Sequence, residues 1–139
     1  MVEGGTVQIL VQEGRFSVPA FRLSDGTLRY LALLAVLFDP TPPPLVCIEE
    51  PELGLHPDVI NRVAEALRFA AERTQLIVTT HSASLVDAFT DTPDVVLVCE
   101  KEDNSSVVRR LDDESLKPWL ERYRLGALWT SGEIGGNRW

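Results

Sequence analysis

The chain has 139 residues, 45% of them hydrophobic, and its 21 acidic against 13 basic side chains give a formal net charge of −8. That length fits one domain able to bury roughly 68–70% of its unfolded surface. The charge excludes this segment as a phosphate-backbone binder in its own right, because nonspecific nucleic-acid affinity comes largely from clustered lysine and arginine, and only Arg109-Arg110 forms a basic doublet.

In chain order, Val7 to Val11 and Phe16 to Ala20 read as short strands separated by a hairpin turn at Glu13-Gly14. Ser24 and Asp25 offer N-cap oxygens to an apolar stretch from Leu28 to Phe38, which covers most of a helix surface and predicts a largely buried helix. Asp39 to Pro44 cannot continue it, because proline removes amide donors and clashes with the preceding turn. Leu45 to Ile48 is then a strand, and Pro57-Asp58 starts a helix whose Ile60, Val63, Ala64, Leu67, Ala70 and Ala71 recur at spacings of three and four. Leu76 to Thr80 is a second strand, His81-Ser82 opens a short helix with Leu85, Val86 and Phe89, and Val95 to Cys99 is a third strand. Strand and helix alternate, which implies an α/β fold with a largely parallel sheet flanked by helices and right-handed crossovers.

Val107 to Leu111 reads as a last strand. Asp112 or Asp113 caps a final helix holding Leu116, Trp119, Leu120 and Tyr123 and ending near Gly126, which requires Pro118 in its first turn. Trp129 to Trp139 is glycine-rich and read as irregular, docked through its two tryptophans. Cys47 and Cys99 sit inside apolar β-prone runs and are read as small buried hydrophobes. With only His56 and His81 beside them, a zinc site is rejected. No apolar run approaches the ~18 residues of a membrane helix. Met1 to Gly5 has neither a basic start nor an apolar core, so a soluble, cytoplasmic chain is expected.

The chemistry concentrates at Leu45 to His56, where Glu49 and Glu50 end an apolar strand and a tight loop follows. In an open α/β sheet the crevice outside the carboxyl ends of the strands holds the ligand. Parallel pairing of the first two central strands would bring Glu49, Glu50 and His81 out at the same edge. Glu49 suits an ion and Glu50 a water. Glu52 is read evenly as a functional acid or as a side chain that is merely exposed or caps a turn. Ser24-Asp25-Gly26 taken alone is an ordinary helix start.

Together these segments resemble the ATP-binding-cassette type of ATPase, in its RecF-like and structural-maintenance-of-chromosomes-like branch. Leu23-Ser-Asp-Gly-Thr27 looks like the signature motif and Leu45 to Glu50 like Walker B with its adjoining glutamate. Gly54-Leu-His-Pro57 looks like the D-loop and Thr79-Thr-His-Ser82 like the switch-histidine loop. The resemblance covers nearly the whole chain, residues 1–139, and implies the C-terminal lobe of a P-loop NTPase-like domain. It implies that Glu49 holds Mg2+ through water, Glu50 polarises the attacking water and His81 contacts the γ-phosphate. Ser24, Asp25, Gly26 and Thr27, with Gly54 and His56, would then face an ATP bound on a second subunit, giving a homodimer closed by ATP.

Three positions depart from the family pattern: Asp25 replaces a glycine, His56 an aspartate, and Glu49 the more usual aspartate. Asp25 is accordingly read as a helix cap turned away from phosphate. A larger departure is that no Gly-x-x-x-x-Gly-Lys-Ser/Thr loop occurs; the two lysines, Lys101 and Lys117, do not follow glycine. The resemblance places that loop in a missing N-terminal lobe, so this chain alone is expected to be inactive. The alternative is a catalytically inactive module for dimerisation or partner docking. A nuclease built on Glu49, Glu50 and Glu52 lacks a positive substrate track. DNA contact is left to other regions, and the process driven by ATP, whether repair, chromosome organisation or defence against foreign DNA, is not selected by any residue.

Overall fold

The computed structural model describes residues 8–136. Strands β1 (Leu10–Glu13) and β2 (Phe16–Pro19) form an antiparallel hairpin in which Glu13 faces Phe16. The turn is therefore Gly14-Arg15, one residue later than expected, with Gly14 at φ +58°. Val7 lies outside the described residues.

Helix α1 (Asp25–Leu37) is capped by Ser24, whose hydroxyl accepts the Thr27 N–H at 3.1 Å. Asp25 is its first residue and not its cap, which corrects the sequence reading. The helix is also not largely buried: Leu37 is enclosed, while Leu28, Val36 and Phe38 are exposed. Only the side bearing Tyr30, Leu33, Leu34 and Leu37 meets a core.

Strands β3 (Leu45–Glu49) and β4 (Gln75–Thr79) pair in parallel, Leu45 opposite Gln75 and Glu49 opposite Thr79. The crossover between them is a 3₁₀ turn at Pro57–Val59 followed by α2 (Ile60–Ala71). Its expected stripe is real, since Ile60, Val63, Ala64, Leu67 and Ala70 are buried; Ala66 joins them and Ala71 does not. They pack on Ile48, Leu76 and Val78, the alternate residues of the two strands. At about 1.5–3 kcal/mol for each large apolar side chain buried, this layer is the main source of cohesion in the first core. Arg73 staples the ends of α1 and α2 by donating to the carbonyls of Leu37 (2.7 Å) and Asp39 (2.6 Å).

The opposite face of the pair is bare. Leu45, Cys47 and Ile77 are exposed, and so is Cys99. Both cysteines were expected inside. The apolar pattern of the strands is that of a sheet covered on two faces, and the described residues cover only one.

The third strand departs from the expected sheet. Pro93–Val95 is a 3₁₀ turn, and β5 (Leu97–Glu102) pairs antiparallel with β6 (Ser105–Arg110). Asp103 and Asn104, at φ +45° and +67°, make the two-residue turn whose twist suits a hairpin, so β5 takes its sequence neighbour as partner. The fold is α/β with one parallel pair and two antiparallel ribbons.

Helix α3 (Ala83–Asp87) joins two cores, Leu85 entering the first and Val86 the second. The second core gathers Val98, Leu111, Leu125, Leu128 and Ile134. Asp112 caps α4 (Asp113–Leu120) through the Ser115 N–H, which places Pro118 in its last turn rather than its first. The chain breaks after Leu120 and re-forms as α5 (Leu125–Ser131), so Trp129 is helical and half-buried against the second core. Trp139 lies outside the described residues. Among the described residues no helix is long and apolar enough to cross a membrane.

Candidate functional site

The parallel register sets the first cluster. Glu49, last in β3, lies exposed on the bare face beside Thr79 of β4. At Glu50 the backbone turns into the left-handed region, φ +44°, which costs a non-glycine residue about 1–2 kcal/mol. Two hydrogen bonds of 2.9 Å hold it there: its N–H donates to the Thr79 carbonyl, and its own carbonyl accepts from the Leu53 N–H. The Glu50 Oε1 then stands 3.8 Å from His81 Nε2, with the side chains 34% and 56% exposed. That separation is too long for a hydrogen bond and close enough for Coulombic attraction when the imidazole is protonated. It also leaves room for a small ligand to reach both.

Glu52 holds the two loops together. Its Oε1 accepts the Thr80 hydroxyl at 2.5 Å and the His81 N–H at 3.2 Å, while Thr80 Oγ1 accepts the Ser82 N–H at 3.0 Å. Its Oε2 is buried with no hydrogen-bond partner among the described residues. Sequence reasoning left Glu52 between a functional acid and a merely exposed or turn-capping side chain, and did not single out Thr80. The available signal was a third acid spaced one proline beyond the pair, in a loop facing a Thr-Thr-His-Ser segment.

The second cluster forms where the start of α1 meets the loop after β3. Ser24 Oγ lies 2.8 Å from Thr27 Oγ1. Gly26 packs so closely that a Cβ there would be 2.8 Å from the Gly54 carbonyl oxygen, and Gly54 itself has φ +77°. His56 caps the 3₁₀ turn, its Nδ1 accepting the Asp58 N–H at 3.3 Å. Asp58 Oδ2 lies 3.5 Å from the same nitrogen. The two contacts exclude each other, since the first needs a lone pair on Nδ1 and the second a proton. Ser24, Gly26, Thr27, Gly54 and His56 line one open cleft of about 560 Å³; Asp25 is exposed beside it and does not line it.

The nine sequence-predicted residues thus fall into two groups, Glu49, Glu50 and His81 in one and Ser24 to Thr27, Gly54 and His56 in the other. The loop from Glu50 to His56 runs from one group to the other. Among the described residues no three His, Cys, Asp or Glu side chains are gathered as a metal cage. A single exposed carboxylate at Glu49 fits an ion that keeps most of its waters, as Mg2+ does. The N-terminal end of a 13-residue helix, with its free N–H groups, suits a phosphate-bearing ligand; the space beside Gly26 itself is taken by the Gly54 carbonyl.

Known proteins resemble this chain in both sequence and fold. It is 39% identical over 74 residues to the protein described as Old nuclease of Escherichia phage P2, a match covering 52% of this chain and 12% of that relative. The chain thus spans only a small part of the relative's length. A solved structure described as "Structural biochemistry of ATP-driven dimerization and DNA stimulated activation of SMC ATPases" superposes with a TM-score of 0.61. The superposition covers 85% of this chain and 73% of that one at 22% identity, and it shows a shared P-loop NTPase fold. The family described as "AAA domain, putative AbiEii toxin, Type IV TA system" matches residues 4–87, which contain both clusters, and the chain belongs to that family.

Proposed function

We propose that residues 1–139 form the C-terminal lobe of an ABC-type ATPase, one half of a composite site in which ATP is bound and hydrolysed. The observation carrying this reading is the 3.8 Å approach of Glu50 to His81 across adjacent parallel strand tips. Phosphoryl transfer asks little covalent chemistry of the protein; it asks for positioned charges and donors around the γ-phosphate and an oriented water. Glu50, half-exposed and fixed by its strained turn, orients that water and accepts its proton. His81 directs its imidazole at the phosphate oxygens from the neighbouring strand. Glu49 would hold Mg2+ through water, and the ion would supply neutralisation of developing phosphate charge.

The second cluster faces a nucleotide held by another subunit. Ser24 and Thr27 present hydroxyls at the positive end of α1, and Gly26 lets the Gly54 loop pack against it. His56 and Gly54 lie in the same cleft, so closure on ATP is coupled to the loop that begins at Glu50. ATP-driven dimerization in the description of the SMC ATPase neighbour supports a homodimer of this kind.

The missing phosphate-loop lobe has physical support in the bare face of β3 and β4. A parallel pair with Leu45, Cys47 and Ile77 open to solvent needs a covering layer and further strands. Without a phosphate loop the chain lacks most of the backbone amides that bind a triphosphate. The nuclease of the phage relative is assigned to that protein and not to this segment. Glu50→Gln in the intact protein, phosphate loop included, is the test: ATP binding is retained and turnover is lost, whereas unchanged steady-state hydrolysis removes Glu50 from its role.

A further inference from the structure

We infer that Glu52 is the positioning residue of the switch-histidine loop, an inference that rests on the ATPase reading for its functional consequence and on geometry alone for its structural one. A single oxygen, Oε1, accepts both the Thr80 hydroxyl and the His81 N–H. The Thr80 oxygen in turn accepts the Ser82 N–H, and the Ser82 hydroxyl caps α3 through the Leu85 N–H at 3.3 Å. Three consecutive residues of the β4–α3 loop therefore hang from one carboxylate that belongs to the β3 loop. His81 reaches Glu50 from a backbone whose position Glu52 sets.

The second oxygen takes no part in this arrangement. Oε2 is buried with no partner among the described residues, and an ionised oxygen left so is unfavourable. The acceptor function is the one the surroundings use. Acceptor and charge are separable by substitution: Glu52→Gln keeps an oxygen acceptor and loses the charge, whereas Glu52→Ala loses both. Glu52 touches neither substrate nor reacting atoms; it acts through His81.

Two measurements test this. In the purified 139-residue chain, without nucleotide, Glu52→Ala shifts the His81 and Ser82 amide resonances away from their hydrogen-bonded positions, and Glu52→Gln leaves them close to wild type. In the intact protein, Glu52→Ala lowers kcat for ATP at least tenfold with KM changed less than twofold, and Glu52→Gln restores kcat to within about threefold of wild type. Thr80→Val, nearly isosteric, lowers kcat in the same direction and serves where Glu52→Ala does not fold. Unmoved amides in a folded Glu52→Ala chain overturn the inference, as does a Glu52→Gln enzyme as slow as Glu52→Ala, which would make the charge decisive. If the intact protein hydrolyses no ATP, the ATPase reading fails while the amide shifts still decide the role of Glu52.

Discussion

Gly26 and Gly54 meet backbone to backbone, one at the first turn of α1 and the other in the loop that carries Glu50, Glu52 and His56. A Cβ built on Gly26 lies 2.8 Å from the Gly54 carbonyl oxygen, closer than real Cβ contacts come. The contact ties the start of α1 to the loop that begins at Glu50. Gly26→Ala must therefore push α1 away from the loop. We expect it to destabilise the chain by about 1–3 kcal/mol, as overpacking does, measured by urea denaturation. In the intact protein it should also weaken ATP-dependent dimerisation. A variant with wild-type stability and dimerisation would show that the approach is incidental.

A similar contact locks the second core to the loop and helix that follow His81. Gly126 N–H donates to Asp87 Oδ1 at 2.6 Å, and a Cβ on Gly126 would stand 2.2 Å from the Ala83 carbonyl oxygen. That oxygen is backbone and cannot step aside. Gly126→Ala is expected to separate α5 from α3 at a cost of about 3 kcal/mol or more. Loss of amide-exchange protection in residues 125–131, with α2 still protected, is the expected signature.

The bare face of β3 and β4 makes a third prediction. Ile77 is 50% exposed, so Ile77→Asp should leave the melting temperature of the chain within a few degrees of wild type. The same change in the intact protein should unfold or detach the covering lobe, seen as lost ATP binding. If the intact variant binds ATP normally, that face is solvent in the whole protein as well.

Legibility in the sequence followed the range of the interactions. The strand expected over Leu45 to Ile48, the stripe on α2 and the helix starts near Ser24, Ser82 and Asp112 are local, set by periodicity and by hydroxyl or carboxylate oxygens near free N–H groups. The neighbourhood of Glu50 and His81 was also readable, because a parallel pair with an intervening helix brings both strand ends to one edge. The pairing of β5 was not, since the same apolar run can extend a sheet or turn back on itself, and Asp103-Asn104 decided it through positive φ values. Burial of Cys47 and of most of α1 was misread for a different reason: an apolar pattern reports what a surface requires, and no described residue covers those faces. The role of Glu52 stayed open because its partners, Thr80 and the His81 N–H, are 28 and 29 residues away and join only when the sheet forms.

Glu50→Gln separates ATP binding from turnover. A carboxamide keeps the shape and loses the base, and general-base removal typically costs a factor of about 10²–10⁴. The intact variant should accumulate an ATP-bound dimer, visible by sedimentation with ATP and absent without it. Equal sedimentation in both conditions would favour a module that docks without using nucleotide.

The most direct test of the half-site claim is steady-state ATP hydrolysis by the purified 139-residue chain, measured beside the intact protein. A half-site predicts no phosphate release above buffer from the chain and turnover that depends on Glu50 in the intact protein. Robust hydrolysis by the chain alone, abolished by Glu50→Gln, would contradict it.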